Sequence, residues 1–311
     1  MHEINNTSST IEAEEAETRY FYSESGNIVL CLISFLCFLM NICEIIYIKR
    51  KKSKNSYETL LLSLSISDAL FGFANATLPL LYLTQQISYT YIVRYAYLCS
   101  LLLSTVHLTT LAIDRCVAIS FPLKHRIYWK IKHAKFFLLI LWLLSIVTTY
   151  LLYPYKKAYD FNDTKFVFQM KNTISSTLTT AEILLVVLYT LVYMQIIKQN
   201  RRMSKINNGS QQVSVNRQKN AQSSFILCLL TALTFIFCTL SFNIQMRQKS
   251  RAWPNIYATT LLVINSGLNS FIYYFYGRIT RWKNERLRRR KGTITASSSQ
   301  RGQYSLRSIK R

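Results

Sequence analysis

The sequence predicts an all-α membrane protein, a bundle of seven transmembrane helices. Half of its 311 residues are apolar, and they are concentrated in seven runs separated by short polar connections. Most runs are about 20 residues long or longer, the length of helix that crosses a hydrocarbon core of roughly 30 Å. The lysines and arginines gather in every second connection, which is the pattern of a chain that crosses a membrane repeatedly.

The predicted spans, numbered 1 to 7 in chain order, cover about residues 28–48, 59–83, 91–121, 136–152, 174–197, 225–245 and 256–276. Span 1 is a run of 21 residues whose strongly polar members are Ser34, Asn41 and Glu44. Spans 3 and 5 carry more polar residues than a helix surrounded by lipid, so we expect them to pack against their neighbours.

The distribution of charge predicts the orientation of the chain. The connections after spans 1, 3, 5 and 7 carry 29 of the 38 lysines and arginines. Because basic connections stay in the cytoplasm, we expect residues 1–27 to be extracellular and the C-terminus to be cytoplasmic. Residues 1–27 are also expected to be disordered. The net charge of +24 is therefore interpreted as favouring contact of the basic tail with anionic lipid headgroups, or with an acidic partner surface, over nucleic acid. Residues 277–291 are expected to form a basic amphipathic helix and residues 292–311 a disordered tail.

Modification signals fit the same orientation in the plasma membrane. Glycosylation sequons on the predicted outer side occur at Asn5, Asn6 and Asn162. The first 27 residues are acidic rather than basic-then-apolar, so span 1 is expected to act as its own insertion signal. All seven cysteines lie in or at the edge of the apolar runs, which predicts no disulfide.

A buried acid in span 2 is the first candidate functional residue. Asp68 falls near the middle of its span, and Ser104, Asn265 and Asn269 fall at comparable depth. A carboxylate with hydroxyl and amide oxygens is a ligand set for a small hard cation such as Na⁺. Alternatively, a protonated Asp68 ties the helices together through hydrogen bonds. Apart from this ion, the sequence predicts no cofactor.

The end of span 3 carries the second candidate. Asp114 and Arg115 are adjacent where the apolar run meets a basic segment, and Pro122 is expected to end the helix. An arginine at a helix end can simply extend its side chain to the membrane surface. The combination of the charge pair with the following proline is more specific than either alone.

These positions form an ordered pattern. The chain resembles a rhodopsin-like (class A) G-protein-coupled receptor over about residues 28–285. The matching features, one in each span, are Asn41, "LSLSISD" ending at Asp68, "DRCVAISFPL" starting at Asp114, Trp142, Tyr193, "FIFC" over 235–238 and "NSGLNSFIY" over 265–273.

The resemblance implies a receptor for an extracellular ligand that activates heterotrimeric G proteins through a switch between spans 3 and 6. In this family the acid restrains the arginine at rest, so Asp114 would hold Arg115, and Tyr193 and Tyr273 would help hold the active form. A receptor kinase and arrestin would act at the Ser/Thr-rich tail. At the water interface the charge pair is expected to contribute about 1 kcal/mol.

Several positions depart from the family pattern. Thr90 replaces the cysteine at the start of span 3, and the connection over 153–171 lacks the partner cysteine. Both cysteines of that pair are thus absent. This absence, together with Leu185 in place of a proline, makes the chain similar to the melanocortin, cannabinoid and lysophospholipid receptors. The aromatic toggle and two further prolines are also absent, and their positions are occupied by Thr239, Ser241 and Ser270.

Four residues are candidates for the ligand pocket: Arg94, Tyr97, Glu182 and Asn75. Arg94 and Glu182 either anchor a ligand or form a salt bridge that serves packing. An amine ligand is disfavoured, because the aspartate that pairs with cations in amine receptors falls at Tyr97.

Other classes of protein fit less well. A seven-helix transporter or channel would need a polar path or broken helices in matching halves, and neither is visible. The chain lacks the paired Ser or Asp motifs of an intramembrane enzyme, and His107 is expected to be a hydrogen-bonded core histidine. A receptor-like chain that no longer responds to ligand stays open because the toggle residue is lost.

Overall fold

Each predicted span is helical in a computed structural model, which describes residues 24–51, 55–84, 87–152, 164–204, 212–247 and 256–275. We label the helices after the spans: α1 Glu24–Lys49, α2 Ser56–Leu83, α3 Ile87–Ser120, α4 Ile131–Leu152, α5 Thr164–Ser204, α6 Gln212–Met246 and α7 256–275. The predicted all-α fold class is confirmed, and the described segments contain no strand. The sequons at Asn5, Asn6 and Asn162 and the predictions for 277–311 lie outside the described residues.

Helices α1 to α6 are long and apolar enough to cross a membrane. Helix α7 is more polar, because Asn265, Ser266, Asn269 and Ser270 interrupt its apolar residues. About 72% of the apolar stretch of α2 and of α3 is buried, against 28% or less for α1, α4 and α5. The core therefore lies around α2 and α3, while α1, α4 and α5 leave most of their apolar surface for lipid.

Helix α3 organises the packing, since it contacts α2, α4, α5 and α6. Helix α2 in turn contacts α1, α3 and α4. Gly72 of α2 brings the backbones of α1 and α2 together: a Cβ atom there would lie 3.1 Å from the backbone N of Phe38 and from the backbone O of Ser34. Small residues permit such close approach between membrane helices.

A proline ends α3, as predicted. The helix stops at Ser120, Phe121 adopts a non-helical conformation, and a short helix, Pro122–Tyr128, follows at once. Proline disfavours a helical conformation in the residue before it, yet is tolerated in a first turn, where its missing N–H needs no partner. The resulting bend returns the chain, with His125, towards the end of α3.

The chain divides into two compact units, Met1–Ser270 and Phe271–Arg311. The second unit is described over residues 271–275, where the rings of Phe271 and Phe275 lie 4.2 Å apart. In the described part of the chain six cysteines are free thiols: Cys31, Cys37, Cys43, Cys99, Cys116 and Cys238.

Candidate functional site

The carboxylate of Asp68 lies at the centre of a buried polar cluster. Asp68 itself is completely buried. The hydroxyl of Ser104 on α3 donates to its Oδ1 at 2.5 Å, and Nδ2 of Asn269 on α7 donates to its Oδ2 at 3.2 Å. The structure thus brings two of the three predicted partners onto this acid, and both are neutral donors.

Helix α1 joins the same cluster through α7. Ser266 donates to the backbone carbonyl of Asp68 at 3.1 Å, and Nδ2 of Asn41 lies 3.3 Å from the Ser266 hydroxyl. Ser270, which stands where the family has a proline, donates to Oδ1 of Asn41 at 2.5 Å. Replacing that proline by serine therefore adds a hydrogen bond between α1 and α7.

Two buried amide oxygens, one helical turn apart on α7, lack a donor among the described residues. They are Oδ1 of Asn265 and Oδ1 of Asn269, and both residues are more than nine-tenths buried. Asn265, the third predicted partner, makes no hydrogen bond with Asp68 within the described part of the chain. Buried acceptors without donors are costly, and together with a carboxylate and a hydroxyl they suit a small oxygen-preferring cation.

Glu44 is a second buried acid, a polar residue of span 1 that was not among the predicted functional residues. It is 4% exposed, and its carboxyl group lies beside the hydroxyls of Ser65 and Ser270. Its position three residues after Asn41 places it on the same helix face. That spacing was the signal that could have identified it.

The acid and base at the end of α3 contact each other directly. Nε of Arg115 donates to Oδ2 of Asp114 at 2.9 Å, and Nη2 contacts the same oxygen. The side chain of Asp114 is 1% exposed and that of Arg115 is 15% exposed. The acid is therefore buried among protein atoms, so the pair is not the exposed kind for which about 1 kcal/mol is expected; its hydrogen bonds are charge-assisted, a type worth roughly 1.5–3 kcal/mol.

Two further side chains complete this site, and the sequence did not indicate either. Nε2 of His125, on the short helix, donates to Oδ1 of Asp114 at 2.9 Å. The guanidinium carbon of Arg115 lies 4.1 Å from the centroid of the Tyr57 ring on α2, a cation–π distance. Both oxygens of Asp114 are thus engaged, and Arg115 is held from two sides.

The two tyrosines assigned to the active form differ in burial. Tyr193 of α5 is 56% exposed, while Tyr273 of α7 is 6% exposed. Tyr273 belongs to the second compact unit, and Tyr193 belongs to the first.

His107 links three helices, as expected of a core histidine. Its Nδ1 lies 2.6 Å from the carbonyl of Leu103, so this nitrogen must carry the proton. Nε2 then accepts from the hydroxyl of Ser63 on α2 at 2.7 Å. Nε1 of Trp142 on α4 donates to the same hydroxyl at 2.9 Å. This order of donors is the one that a neutral His107 ring permits, and it connects α2, α3 and α4.

The four candidates for the ligand pocket make different contacts. Nδ2 of Asn75 donates to the carbonyl of Phe71 at 2.8 Å, and the ring of Tyr97 lies 5.2 Å from that of Phe71. Both candidates are buried. The salt bridges between described residues do not include one between Arg94 and Glu182.

Glu182 of α5 is directed to α6 instead. Its Oε1 accepts from the hydroxyl of Thr239 at 2.6 Å and from Nδ2 of Asn243 at 2.8 Å. Thr239 occupies the position of the family's aromatic toggle and is completely buried. A polar contact between α5 and α6 therefore stands where the family has an aromatic side chain.

A comparison with known protein families identifies one family whose profile covers these residues. The profile of the 7 transmembrane receptor (rhodopsin family) matches residues 40–273, which is most of the chain and includes every described site above. No curated protein matches the chain.

Proposed function

Because the chain belongs to the rhodopsin family of seven-transmembrane receptors, which are receptors and not enzymes, we propose that it binds an extracellular ligand and activates heterotrimeric G proteins. It would act in the plasma membrane, with its N-terminus outside and its C-terminus in the cytoplasm. The finer resemblance to the melanocortin, cannabinoid and lysophospholipid receptors stays a prediction.

One observation carries the proposal: Arg115 is held at the end of α3 by Asp114, whose carboxylate is buried and fully hydrogen-bonded. A two-state switch needs an element whose resting arrangement is stabilised by contacts that the active arrangement gives up. Releasing Arg115 would break its contacts with Asp114 and Tyr57 and free a guanidinium group, which is suited to bind carbonyl or carboxylate groups of a partner.

Substitution of the pair tests this switch. Asp114→Asn removes the charge with little change of shape, so basal G-protein activation should rise about tenfold, as a loss of roughly 1.4 kcal/mol implies. Arg115→Ala should abolish coupling. Basal nucleotide exchange on added G protein is measured in both variants at matched surface level.

His125→Phe provides a graded control. It removes one hydrogen bond to Asp114 without altering Arg115, so basal activity should rise by less than in Asp114→Asn, about fivefold for roughly 1 kcal/mol. If Arg115→Ala couples as well as the parent, the G-protein proposal fails. If His125→Phe exceeds Asp114→Asn, Asp114 does not restrain Arg115.

We also infer that Na⁺ acts as an allosteric ion at Asp68. The carboxylate, the Ser104 hydroxyl and the uncommitted amide oxygens of Asn265 and Asn269 are the groups that would hold it. A bound cation would neutralise an acid whose donors, within the described part of the chain, are all neutral. The protein's own part is to keep these oxygens buried, away from water.

Further partners follow from the family and from charge. Membrane lipids would contact the basic connections, and a receptor kinase and arrestin would act on the Ser/Thr-rich tail beyond residue 292. We propose no nucleic acid partner and no cofactor other than the ion. Family membership favours a receptor over the transporter or channel that composition alone leaves open.

A further inference from the structure

We infer that the ligand of this receptor carries a protonated amine, or a similar cation rich in N–H donors, and that this group binds between Glu182 of α5 and Asn243 of α6. The inference rests on the proposed receptor function and adds the chemical class of the ligand. It follows from the acceptors, the orientation and the charge of this pair of residues.

The pair presents acceptors that the described residues do not satisfy. Oε1 of Glu182 receives hydrogen bonds from Thr239 and Asn243, but no donor in the described part of the chain reaches Oε2. Oδ1 of Asn243 likewise lacks a donor, although the residue is only 4% exposed. Reversing the Asn243 amide would place its oxygen against the carboxylate, so the observed orientation is the favourable one.

The carboxylate faces the interior and not the lipid. Leu178 and Leu185, which lie one helical turn before and after Glu182 on the same face of α5, are completely buried. Glu182 is itself partly exposed, although it lies on this buried face. Its carboxylate is therefore directed at α6, where it contacts Thr239 and Asn243.

The charge of Glu182 is uncompensated within the described structure. It forms no salt bridge with any described residue. Arg247, which follows Asn243 by one turn on α6, instead donates to the hydroxyls of Ser175 at 3.1 Å and Thr179 at 3.0 Å. An unpaired acid inside a membrane span is costly and is characteristic of a binding site.

This chemistry selects the ligand class. An anionic group would be repelled by Glu182, and an apolar group would leave both acceptors unpaired. An ammonium group carries a positive charge and three donors, two of which can serve one carboxylate oxygen and one amide oxygen. Tyr97 disfavours an amine only if the cation must pair with an acid on α3. Here Glu182 provides the carboxylate from α5.

The experiment uses matched small probes on the purified full-length receptor in lipid nanodiscs at pH 7. The probes are benzylamine, phenethylamine and cyclohexylmethylamine, each compared with the alcohol of the same carbon skeleton. At least one amine should raise the unfolding temperature in a saturable way, and its alcohol should not. In Glu182→Gln, which keeps the shape and the ability to accept from Thr239, the amine's Kd should rise roughly tenfold or more.

Two controls keep the outcome decisive. Glu58→Gln removes a carboxylate that pairs with Lys51 at the start of α2, and it should leave amine binding unchanged. If Glu182→Gln does not fold, Asn243→Leu should weaken the same amine severalfold. The inference is overturned if no amine stabilises the receptor more than its alcohol, or if the effect persists in Glu182→Gln or, where that variant does not fold, in Asn243→Leu. Because no G protein is present, this result is separate from that of Arg115→Ala.

Discussion

At the scale of single residues, the buried acids differ in the kind of donor that surrounds them. Asp114 accepts from Arg115 and His125, so its charge is compensated within the protein. Among the described residues, Asp68 accepts only from Ser104 and Asn269, which are neutral. Transfer of a carboxylate into a membrane without a cation is costly, so an added cation should stabilise the protein at Asp68 and have little effect at Asp114.

We predict that Na⁺ stabilises the receptor through Asp68. At a Na⁺ concentration ten times its Kd, binding to the folded state should contribute about 1.4 kcal/mol. The unfolding temperature should therefore be higher in NaCl than in choline chloride of equal ionic strength, since the quaternary ammonium of choline has no N–H donor. In Asp68→Asn this difference should vanish.

A nearby substitution serves as the control for this experiment. Ser67 is also completely buried, but its hydroxyl donates to the carbonyl of Leu64, one turn back on α2. Ser67→Ala should therefore keep the Na⁺ response. An unchanged response in Asp68→Asn would mean that Asp68 only ties the helices together.

At the scale of helices, two glycines set how closely α1 approaches its neighbours. At Gly72 an added methyl group would meet the backbone of α1, at 3.1 Å from the O of Ser34. At Gly267 of α7 it would meet a side chain, the Sγ of Cys37 at 2.7 Å. A clash with backbone requires the helix to move, whereas a clash with one side chain can be relieved by trimming that side chain.

This difference predicts which defect can be rescued. Gly72→Ala and Gly267→Ala should each lower stability, because overpacking costs about 1–3 kcal/mol against a gain of about 1 kcal/mol in helix propensity. Adding Cys37→Ala should restore the unfolding temperature of Gly267→Ala but not that of Gly72→Ala. Equal rescue of both variants would show that the α1–α2 contact is not set by the backbone at Gly72.

At the scale of the whole molecule, the alternation of charge predicts orientation. An epitope tag before Met1 should bind antibody on intact cells, and a tag after Arg311 only after permeabilisation, because basic connections are retained in the cytoplasm. Enzymatic removal of N-linked glycans should lower the apparent mass through Asn5, Asn6 or Asn162. Staining of the C-terminal tag on intact cells would contradict the proposed orientation, and untagged cells provide the background.

Many residues of the site could be predicted from the sequence, but the contacts between them could not. Asp68, Ser104 and Asn269 were predicted at one depth, and the structure joins them by hydrogen bonds. His125 was missed because it follows a chain reversal at Pro122, and its distance to Asp114 depends on the angle of that bend.

The sequence by itself determined the seven helices and the polar positions within them. A membrane helix satisfies all its backbone hydrogen bonds internally, so its existence depends on local length and composition. The partner of each polar side chain does not depend on local length and composition. Asn41 and Ser266 meet although they are 225 residues apart, and Glu182 turns to Thr239, 57 residues further on. Such pairings depend on helix rotation and spacing, which side chains from several helices set together, and only the tertiary structure decides them.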